Sequence, residues 1–441
     1  MEMSGGQRRA WGAMAGVLAL ALVAGGCGGG DDGGDGGDAA GSDEQVTLRF
    51  AWWGSDERRE LTEAAIAAFE EQHPDIDVQG EYIEWSGYWD RLATQVAAGD
   101  APDVITQEER FLREYAGRGA LLDLSEYEDT IDMSQLDPLV TGSGEVDGGL
   151  YGLPTGVNAY AVYANPQLFA QAGVELPDDT TWTWDDYIRI ANEITAATGG
   201  EVFGAMDYGG NEAGFKILAR QHGQEMYDAN GELAFEPETL AQWWEYSLQL
   251  RDGGGAPQAT MSAEQQDTGS PEQTLLGTNR AAMAWYWSNT LAALSNASGN
   301  ELVLLRPPGE HERERTGNYY KPAMHYSVSA RTEHPEEAAM LVDFLLNDPA
   351  AIDAIRSDRG LPANLEQRER ILQDLDEYQV AEAEYLAEIQ EDVVDAPPAP
   401  PIGAGQVVDI IKRLNIEVLF DRLSPDEAAE QFISEVEAAT G

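Results

Sequence analysis

The side chains that could carry out catalysis do not form a recognised catalytic or metal-binding pattern. The chain contains neither a Gly-x-Ser-x-Gly elbow nor a His-Glu-x-x-His motif. Its histidines are widely separated, and none has the spacing of a metal site: His73, His222, His311, His325 and His334. Two carboxylates could serve a secreted glycoside hydrolase, but 80 acidic residues make such pairs common by chance. A hydrolase is therefore a weak alternative, and we expect no enzyme activity, no cofactor and no metal.

One cysteine, Cys27, is the clearest candidate for covalent chemistry. It follows a short basic region and an apolar segment at 11–24, an order typical of a secretory signal peptide. Residues 23–27 (VAGGC) resemble a bacterial lipobox, with Ala24 at the position where that motif usually has Leu. A single cysteine cannot form an internal disulfide. We therefore expect the thiol to be acylated and to anchor the exported protein to the membrane.

Composition divides the rest of the chain into a linker and a large globular part. Residues 28–45 are rich in glycine and aspartate and hold no apolar residue large enough to support a core, which is typical of a flexible linker. Residues 46–441 are too many for one ordinary core and favour two domains.

Acidic residues far outnumber basic ones, with 80 Asp and Glu against 26 Lys and Arg and a formal net charge of −54. This charge argues against nucleic acid or an anionic membrane surface as a partner. Lysine is rare, and its positions are Lys216, Lys321 and Lys412. A GC-rich genome, which replaces Lys by Arg, and adaptation to salt, which favours acidic surfaces, both stay open as explanations.

Apolar periodicity predicts strands that alternate with helices. Ser55 is placed to cap the first helix, and His73 and Pro74 end it. Alternating strands and helices imply crossover connections and a mostly parallel sheet, in which ligands bind beyond the carboxyl ends of the strands. Strands are predicted at 46–53, 76–83, 104–105, 203–206 and 281–287, and helices at 56–72, 88–98, 184–194, 240–251 and 335–346.

Several short motifs follow one another along the same part of the chain. They are 52–54 (WWG), 69–78 (FEEQHPDIDV), 98–105 (AGDAPDVI), 151–165 (YGLPTGVNAYAVYAN), 182–187 (WTWDDY), 280–283 (RAAM), 334–339 (HPEEAA) and 359–363 (RGLPA). Because these motifs occur in this order behind a lipoprotein-type signal, the chain resembles the family 1 extracellular solute-binding proteins of ABC sugar importers, the maltose-binding-protein-like group.

The resemblance implies an α/β, type II periplasmic-binding-protein-like fold, with two lobes of mostly parallel sheets flanked by helices and a hinge between them. Lobe 1 would comprise 46–157 and 318–365, and lobe 2 would comprise 158–317 and 366–441. A carbohydrate would bind in the cleft, and closure of the lobes would present it to the permease subunits of an ABC transporter. We expect a monomer on the extracytoplasmic face of the cell membrane. A polyamine or ferric ion stays open as an alternative ligand.

A sugar exposes hydroxyl groups and flat C–H faces, so its site needs aromatic platforms beside planar hydrogen-bonding groups. We favour Trp287 as the stacking residue because it lies near the end of its strand, with Trp285 on the same face. We expect Trp52 to face inward, and we assign four other tryptophans to packing: Trp182, Trp184, Trp243 and Trp244. The candidate ligand-binding residues follow predicted strands or stand at expected hinge crossings: Trp53, Ser55, Glu84, Trp85, Gln107, Asn158, Asp207, Trp285, Trp287, Tyr320 and Arg359.

Overall fold

A computed structural model describes residues 45–441 except 267, 269 and 312–314. The predicted signal peptide, Cys27 and all but the last residue of the predicted linker lie outside the described residues. The strands are β1 (Val46–Trp53), β2 (Ile76–Ile83), β3 (Val104–Gln107), β4 (Glu145–Val146), β5 (Gly149–Leu150), β6 (Leu153–Pro154), β7 (Gly156–Ala164), β8 (Phe203–Ala205), β9 (Glu225–Tyr227), β10 (Leu233–Ala234), β11 (Ala281–Trp287), β12 (Val303–Leu305), β13 (Tyr320–Pro322), β14 (His325–Val328) and β15 (Leu361–Pro362).

Helices cover the sheets and complete the chain. They are α1 (Asp56–Gln72), α2 (Trp85–Ala98), α3 (Glu109–Gly117), α4 (Pro138–Thr141), α5 (Pro166–Ala172), α6 (Trp184–Ala197), α7 (Glu212–Gln221), α8 (Pro237–Gly253), α9 (Ala259–Gln266), α10 (Leu291–Ser298), α11 (Pro335–Asn347), α12 (Pro349–Ile355), α13 (Leu365–Ile371), α14 (Glu377–Ile389), α15 (Val407–Leu419) and α16 (Pro425–Thr440). In the part of the chain that the structure describes, no helix has the length and apolarity needed to cross a membrane.

The predicted elements at the start of the globular part are largely confirmed. β1 has the predicted bounds, and the Ser55 hydroxyl caps α1 by accepting a hydrogen bond from the backbone N–H of Arg58 at 3.2 Å. Two boundaries differ: α2 begins at Trp85, and β3 continues to Gln107. Trp85 therefore lies in the first turn of a helix, and Gln107 is the last residue of a strand instead of following one.

The first sheet has the strand order β2-β1-β3-β14-β6. β1 pairs in parallel with β2 and β3, whereas β14 pairs antiparallel with β3 and β6. Trp52 is buried as expected, but Trp53 on the opposite face of β1 is buried too. Strands covered on both faces bury both sets of side chains, so alternation along β1 does not separate core from surface.

The second sheet has the order β12-β7-β11-β8, and β13 and β15 also pair with β7. β8 and β11 are parallel, but β7 pairs antiparallel with β11, β12, β13 and β15. The predicted parallel pairing is found for β1, β2 and β3 of the first sheet, but the second sheet is mostly antiparallel. The prediction fails in the second sheet because it assumed helical crossovers throughout, and strands that are not joined in that way can pair antiparallel.

Close packing of β8 against α6 generates a stability prediction. A Cβ atom at Gly204 of β8 would lie 2.0 Å from the backbone oxygen of Ala191 in α6. We expect Gly204→Ala to lower the free energy of unfolding by about 1–3 kcal/mol or more, because neither backbone can yield without disturbing the sheet. Urea denaturation measures the change.

Gly117 provides the control, because it lies in α3 and a Cβ there meets no atom within 4 Å. We expect Gly117→Ala to be neutral or to stabilise by up to about 1 kcal/mol, since alanine favours the helix. Equal effects of the two substitutions would contradict the packing described for β8.

Candidate ligand-binding site

A cavity of about 290 Å³ lies beyond the carboxyl ends of the parallel strands β8 and β11. This is the position at which α/β sheets bind ligands. Three of the predicted residues line it: Asp207, Trp285 and Trp287. The other aromatic and polar lining residues are Tyr160, Tyr208, Asn211, Ser262, Gln265, Gln266, Thr268, Tyr286, Thr290 and Lys412.

Trp285 and Trp287 contribute differently to the cavity. Trp285 is buried, its indole N–H donates to the Tyr187 hydroxyl at 3.2 Å, and its ring stacks on Trp184 with centroids 5.7 Å apart. Trp287 is only partly buried and meets Tyr160 edge to face at 4.8 Å. Trp285 is thus fixed in the core, and Trp287 is the more accessible aromatic surface.

Lys321 links Trp287 to the first sheet. Its ammonium nitrogen lies 5.7 Å from the centroid of the Trp287 ring, within range of a cation–π interaction. The same nitrogen is 3.6 Å from a carboxylate oxygen of Glu108 and 3.6 Å from one of Glu109, both of which follow β3. Burial opposes ionisation of Glu108, but Lys321 and Arg110 outweigh it and hold the pKa of that carboxyl below its usual value.

The Asp207 carboxyl is held by the protein rather than left free. It accepts hydrogen bonds from the Ser247 hydroxyl at 2.5 Å and from the Asn415 amide at 2.8 Å. Burial raises the pKa of Asp207 above its usual value, although these hydrogen bonds oppose the shift. The group is therefore a fixed part of the polar wall of the cavity.

Trp53 and Trp85 belong to a separate aromatic cluster at the end of β1, together with Tyr88 and Trp89. Trp53 is buried and meets Trp85 edge to face at 5.1 Å, whereas 42% of the Trp85 surface is exposed. None of these four side chains lines the cavity. Glu84, exposed at the start of α2, makes no side-chain capping bond.

Gln107 and Asn158 are buried, and each is next to a residue of the Lys321 contacts. Gln107 precedes Glu108 along the chain, and Asn158 pairs with Lys321 across the β7–β13 ladder. Among the described residues, no hydrogen-bond partner is found for the nitrogen or the oxygen of the Gln107 amide, or for the side-chain oxygen of Asn158. Buried polar groups of this kind are usually satisfied, so they are candidates for meeting a ligand or water.

The structure places the last two predicted residues in internal hydrogen bonds outside the cavity lining. The Tyr320 hydroxyl donates to the backbone oxygen of Leu386 at 2.6 Å. The Arg359 guanidinium donates to the Tyr326 hydroxyl at 2.9 Å and to the Thr62 hydroxyl at 2.8 Å. Both side chains are buried, and they hold distant parts of the chain together.

The packing assignments for the other tryptophans are confirmed. Trp182, Trp184, Trp243 and Trp244 are all buried. The indole N–H groups of Trp243 and Trp244 both donate to the backbone oxygen of Gly209, at 3.0 and 3.1 Å. This carbonyl belongs to the loop that carries Asp207, so the two rings support the cavity without lining it.

Sequence reasoning missed Tyr160, Tyr208, Lys321 and Lys412. Tyr208 directly follows Asp207, so the same position after β8 could have identified it. The signal for the two lysines was different, because lysine is rare in this chain. Rarity alone does not indicate a site, and only contacts between distant strands and helices bring Lys321 and Lys412 to the cavity.

A buried acid behind β11 generates a pH prediction. The Glu382 carboxylate accepts a hydrogen bond at 2.9 Å from Ser288, the residue after Trp287. Burial raises the pKa of Glu382 to about 7. The folded protein therefore binds more protons than the unfolded chain between pH 4.5 and 7, and stability falls as the pH rises through this window.

We expect Glu382→Gln to remove this loss, so that its stability relative to the unsubstituted protein increases by about 3 kcal/mol between pH 4.5 and 7.5. Urea denaturation across this range measures the difference. Glu384→Gln, on the exposed side of the same helix, is the control. Its free energy of unfolding relative to the unsubstituted protein should not change across this pH range. If the relative free energy of unfolding of Glu382→Gln were also independent of pH, the raised pKa of Glu382 would be refuted.

Comparison with known proteins relates this geometry to a family. Residues 51–352 match the family model described as bacterial extracellular solute-binding protein. A curated relative, the arabinooligosaccharide-binding protein of Halalkalibacterium halodurans, is 24% identical over 320 residues, which cover 68% of this chain and 67% of that protein.

Two solved structures share the fold over almost the whole described chain. A family 1 extracellular solute-binding protein from Alicyclobacillus acidocaldarius has a TM-score of 0.75 and 29% identity, covering 90% of this chain and 99% of its own. A periplasmic oligogalacturonide-binding protein from Yersinia enterocolitica has a TM-score of 0.78 and 25% identity, covering 89% and 98%. The predicted two-lobed, type II α/β fold is confirmed.

Proposed function

Because the chain belongs to the family of bacterial extracellular solute-binding proteins, we propose that it captures a sugar or oligosaccharide and delivers it to the permease of an ABC transporter. The observation that carries the proposal is the cavity beyond β8 and β11, where the accessible ring of Trp287 lies among amide and hydroxyl groups. Saccharide binding by the Halalkalibacterium and Yersinia relatives supports the same ligand class.

The chemistry of the lining suits a saccharide. The Trp287 ring offers a flat apolar surface for the C–H face of a sugar, and Trp285 behind it keeps the strand end rigid. Asn211, Gln265 and Gln266 supply amides that can donate to and accept from hydroxyl groups. A cavity of about 290 Å³ is close to the lower limit of small-molecule sites, and this favours a short saccharide or one end of a longer one.

The proposed lobes are those implied by the sequence, 46–157 with 318–365 and 158–317 with 366–441. In this division the bonds from Lys321 to Glu108 and Glu109 lie within lobe 1, and the contact of Lys321 with Trp287 crosses to lobe 2. Bending of the strands near Lys321 would open or close the site, as in other hinged binding proteins.

The proposed site keeps most of the predicted residues. From lobe 1, Trp53, Glu84, Trp85 and Gln107 would approach the ligand on closure, and Asn158 would meet it from the hinge. Ser55, Tyr320 and Arg359 are left out, because their polar groups are bound to the protein itself. No observation favours a polyamine, a ferric ion or a hydrolytic activity over capture of a sugar.

Trp287 is the most direct test of this site. With a saccharide from a panel of pentoses, hexoses and their oligomers, we expect Trp287→Ala to weaken binding by about 2 kcal/mol, the usual loss for a stacked anchor. Trp287→Tyr should retain most of the affinity because it keeps an aromatic face. Calorimetric titration measures both.

Phe420→Ala is the matched control, because this ring is exposed and does not line the cavity. It should bind like the unsubstituted protein. Undiminished affinity of Trp287→Ala, or an equal loss in Phe420→Ala, would show that Trp287 is not the platform.

We also propose that the mature protein is anchored outside the cytoplasm through a lipid on Cys27. Two features of the sequence support this, the signal-like segment before Cys27 and the Gly/Asp-rich linker after it. We expect Cys27→Ser to abolish incorporation of labelled fatty acid and to release the protein from the membrane fraction. Unchanged labelling of the Cys27→Ser protein would refute the anchor.

A further inference from the structure

The three lysines of this strongly acidic chain all lie at or next to the proposed site. Lys412 lines the cavity, and Lys321 lies over the ring of Trp287. Lys216 lies 5.1 Å from the centroid of Tyr319, which in turn contacts Trp287 at 6.1 Å.

Among the described residues, two of these lysines have a carboxylate partner and Lys412 has none. Lys216 lies 3.7 Å from a carboxylate oxygen of Glu212, and Lys321 is shared by Glu108 and Glu109. Lys412 is partly buried, and within the described ranges, which omit 267 and 269, no carboxylate lies within 4 Å of its ammonium group.

The backbone of Lys412 is held in place on α15. Its carbonyl accepts a hydrogen bond from the Gln266 amide at 3.0 Å, and Asn415, one helical turn later, donates to Asp207 at 2.8 Å. Tyr208, another lining residue, is 2% exposed, and its hydroxyl has no partner in the described part of the chain. In the part of the cavity wall that the structure describes, a cation without a carboxylate partner thus lies in the same lining as a buried hydroxyl without a hydrogen-bond partner.

We propose that the saccharide bound in this cavity carries a carboxylate, which pairs with Lys412 and accepts a hydrogen bond from Tyr208. This inference rests on the proposed function and specifies its ligand class as a uronic acid or an oligomer of one. One cation among the described lining residues matches a monoanion, whereas a phosphate dianion would need further donors.

The net charge of −54 is spread along the chain, and the Asp207 carboxyl in the cavity lining has its two oxygens bonded to Ser247 and Asn415. At physiological ionic strength, interactions between exposed charges decay over about 8 Å, so the distant acidic surface contributes little inside the cavity. A partly buried cation in contact with the ligand is screened far less.

The test is calorimetric titration with matched saccharides: galactose, galacturonic acid and galactose 6-phosphate, the glucose equivalents, and the disaccharides of each neutral and acidic sugar. We expect the unsubstituted protein to bind an acidic member more tightly than its neutral partner. Lys412→Met should weaken binding of the acid about 10- to 100-fold, the range for a hydrogen bond to a charged group, and leave the neutral sugar unchanged. Lys412→Arg should restore most of the affinity.

Arg413→Met is the matched control, since it removes the same charge from the adjacent, exposed position, where Arg413 pairs with Glu435. It should leave both affinities unchanged. Tighter binding of the neutral sugar or of the phosphate, or equal losses for acid and neutral sugar in Lys412→Met, would overturn the inference and leave the proposed function standing. Absence of binding by every saccharide in the panel would overturn both.

Discussion

Antiparallel pairing between β7 and β11 fixes the geometry on which the proposed site depends. All nine residues of β7 are buried, and the ladder sets Trp285 opposite Val162 and Trp287 opposite Tyr160. The Tyr163 hydroxyl adds a hydrogen bond of 2.7 Å to the backbone oxygen of Trp287. A shift of this register by one residue would turn both tryptophans to the other face of the sheet.

The same strand connects the proposed site to the proposed hinge. Residues 156–159 of β7 pair with β13 and β15, so Lys321 on β13 is placed beside Trp287 on β11 through a shared neighbour. Tyr160, which lines the cavity, is thus two positions along β7 from Asn158, which lies at the proposed hinge. Movement of the strands at one end of β7 would therefore shift Trp287, which pairs with Tyr160 on the same strand.

The buried acids near the site differ in whether a basic side chain offsets the cost of burying their charge. Glu108 stays ionised because Lys321 and Arg110 offset its burial. Glu382 and Asp207 have no basic partner among the described residues, and burial raises the pKa of each. The oxygens of both acids accept hydrogen bonds from the protein, Glu382 from Ser288 and Asp207 from Ser247 and Asn415, and these bonds offset part of the cost of burial.

Local sequence signals predicted the elements better than their pairing. β1, the Ser55 cap and the bounds of β11 followed from alternation and capping, and placing Trp285 and Trp287 together followed from the two-residue repeat of a strand. The inward and outward faces of β1 could not be separated, because helices cover both sides of that sheet. Tyr320 and Arg359 stood at the predicted crossings, but their partners Leu386 and Thr62 are distant along the chain. The same long-range contacts hid the roles of Lys321 and Lys412.

A crystal structure of the protein with a bound saccharide tests the central claim most directly. The predicted result is a sugar ring in the cavity beyond β8 and β11, with its C–H face against Trp287 and its hydroxyl groups bonded to the lining amides. A saccharide bound instead at the exposed Trp85, in the first turn of α2, with none in the cavity, would contradict the claim.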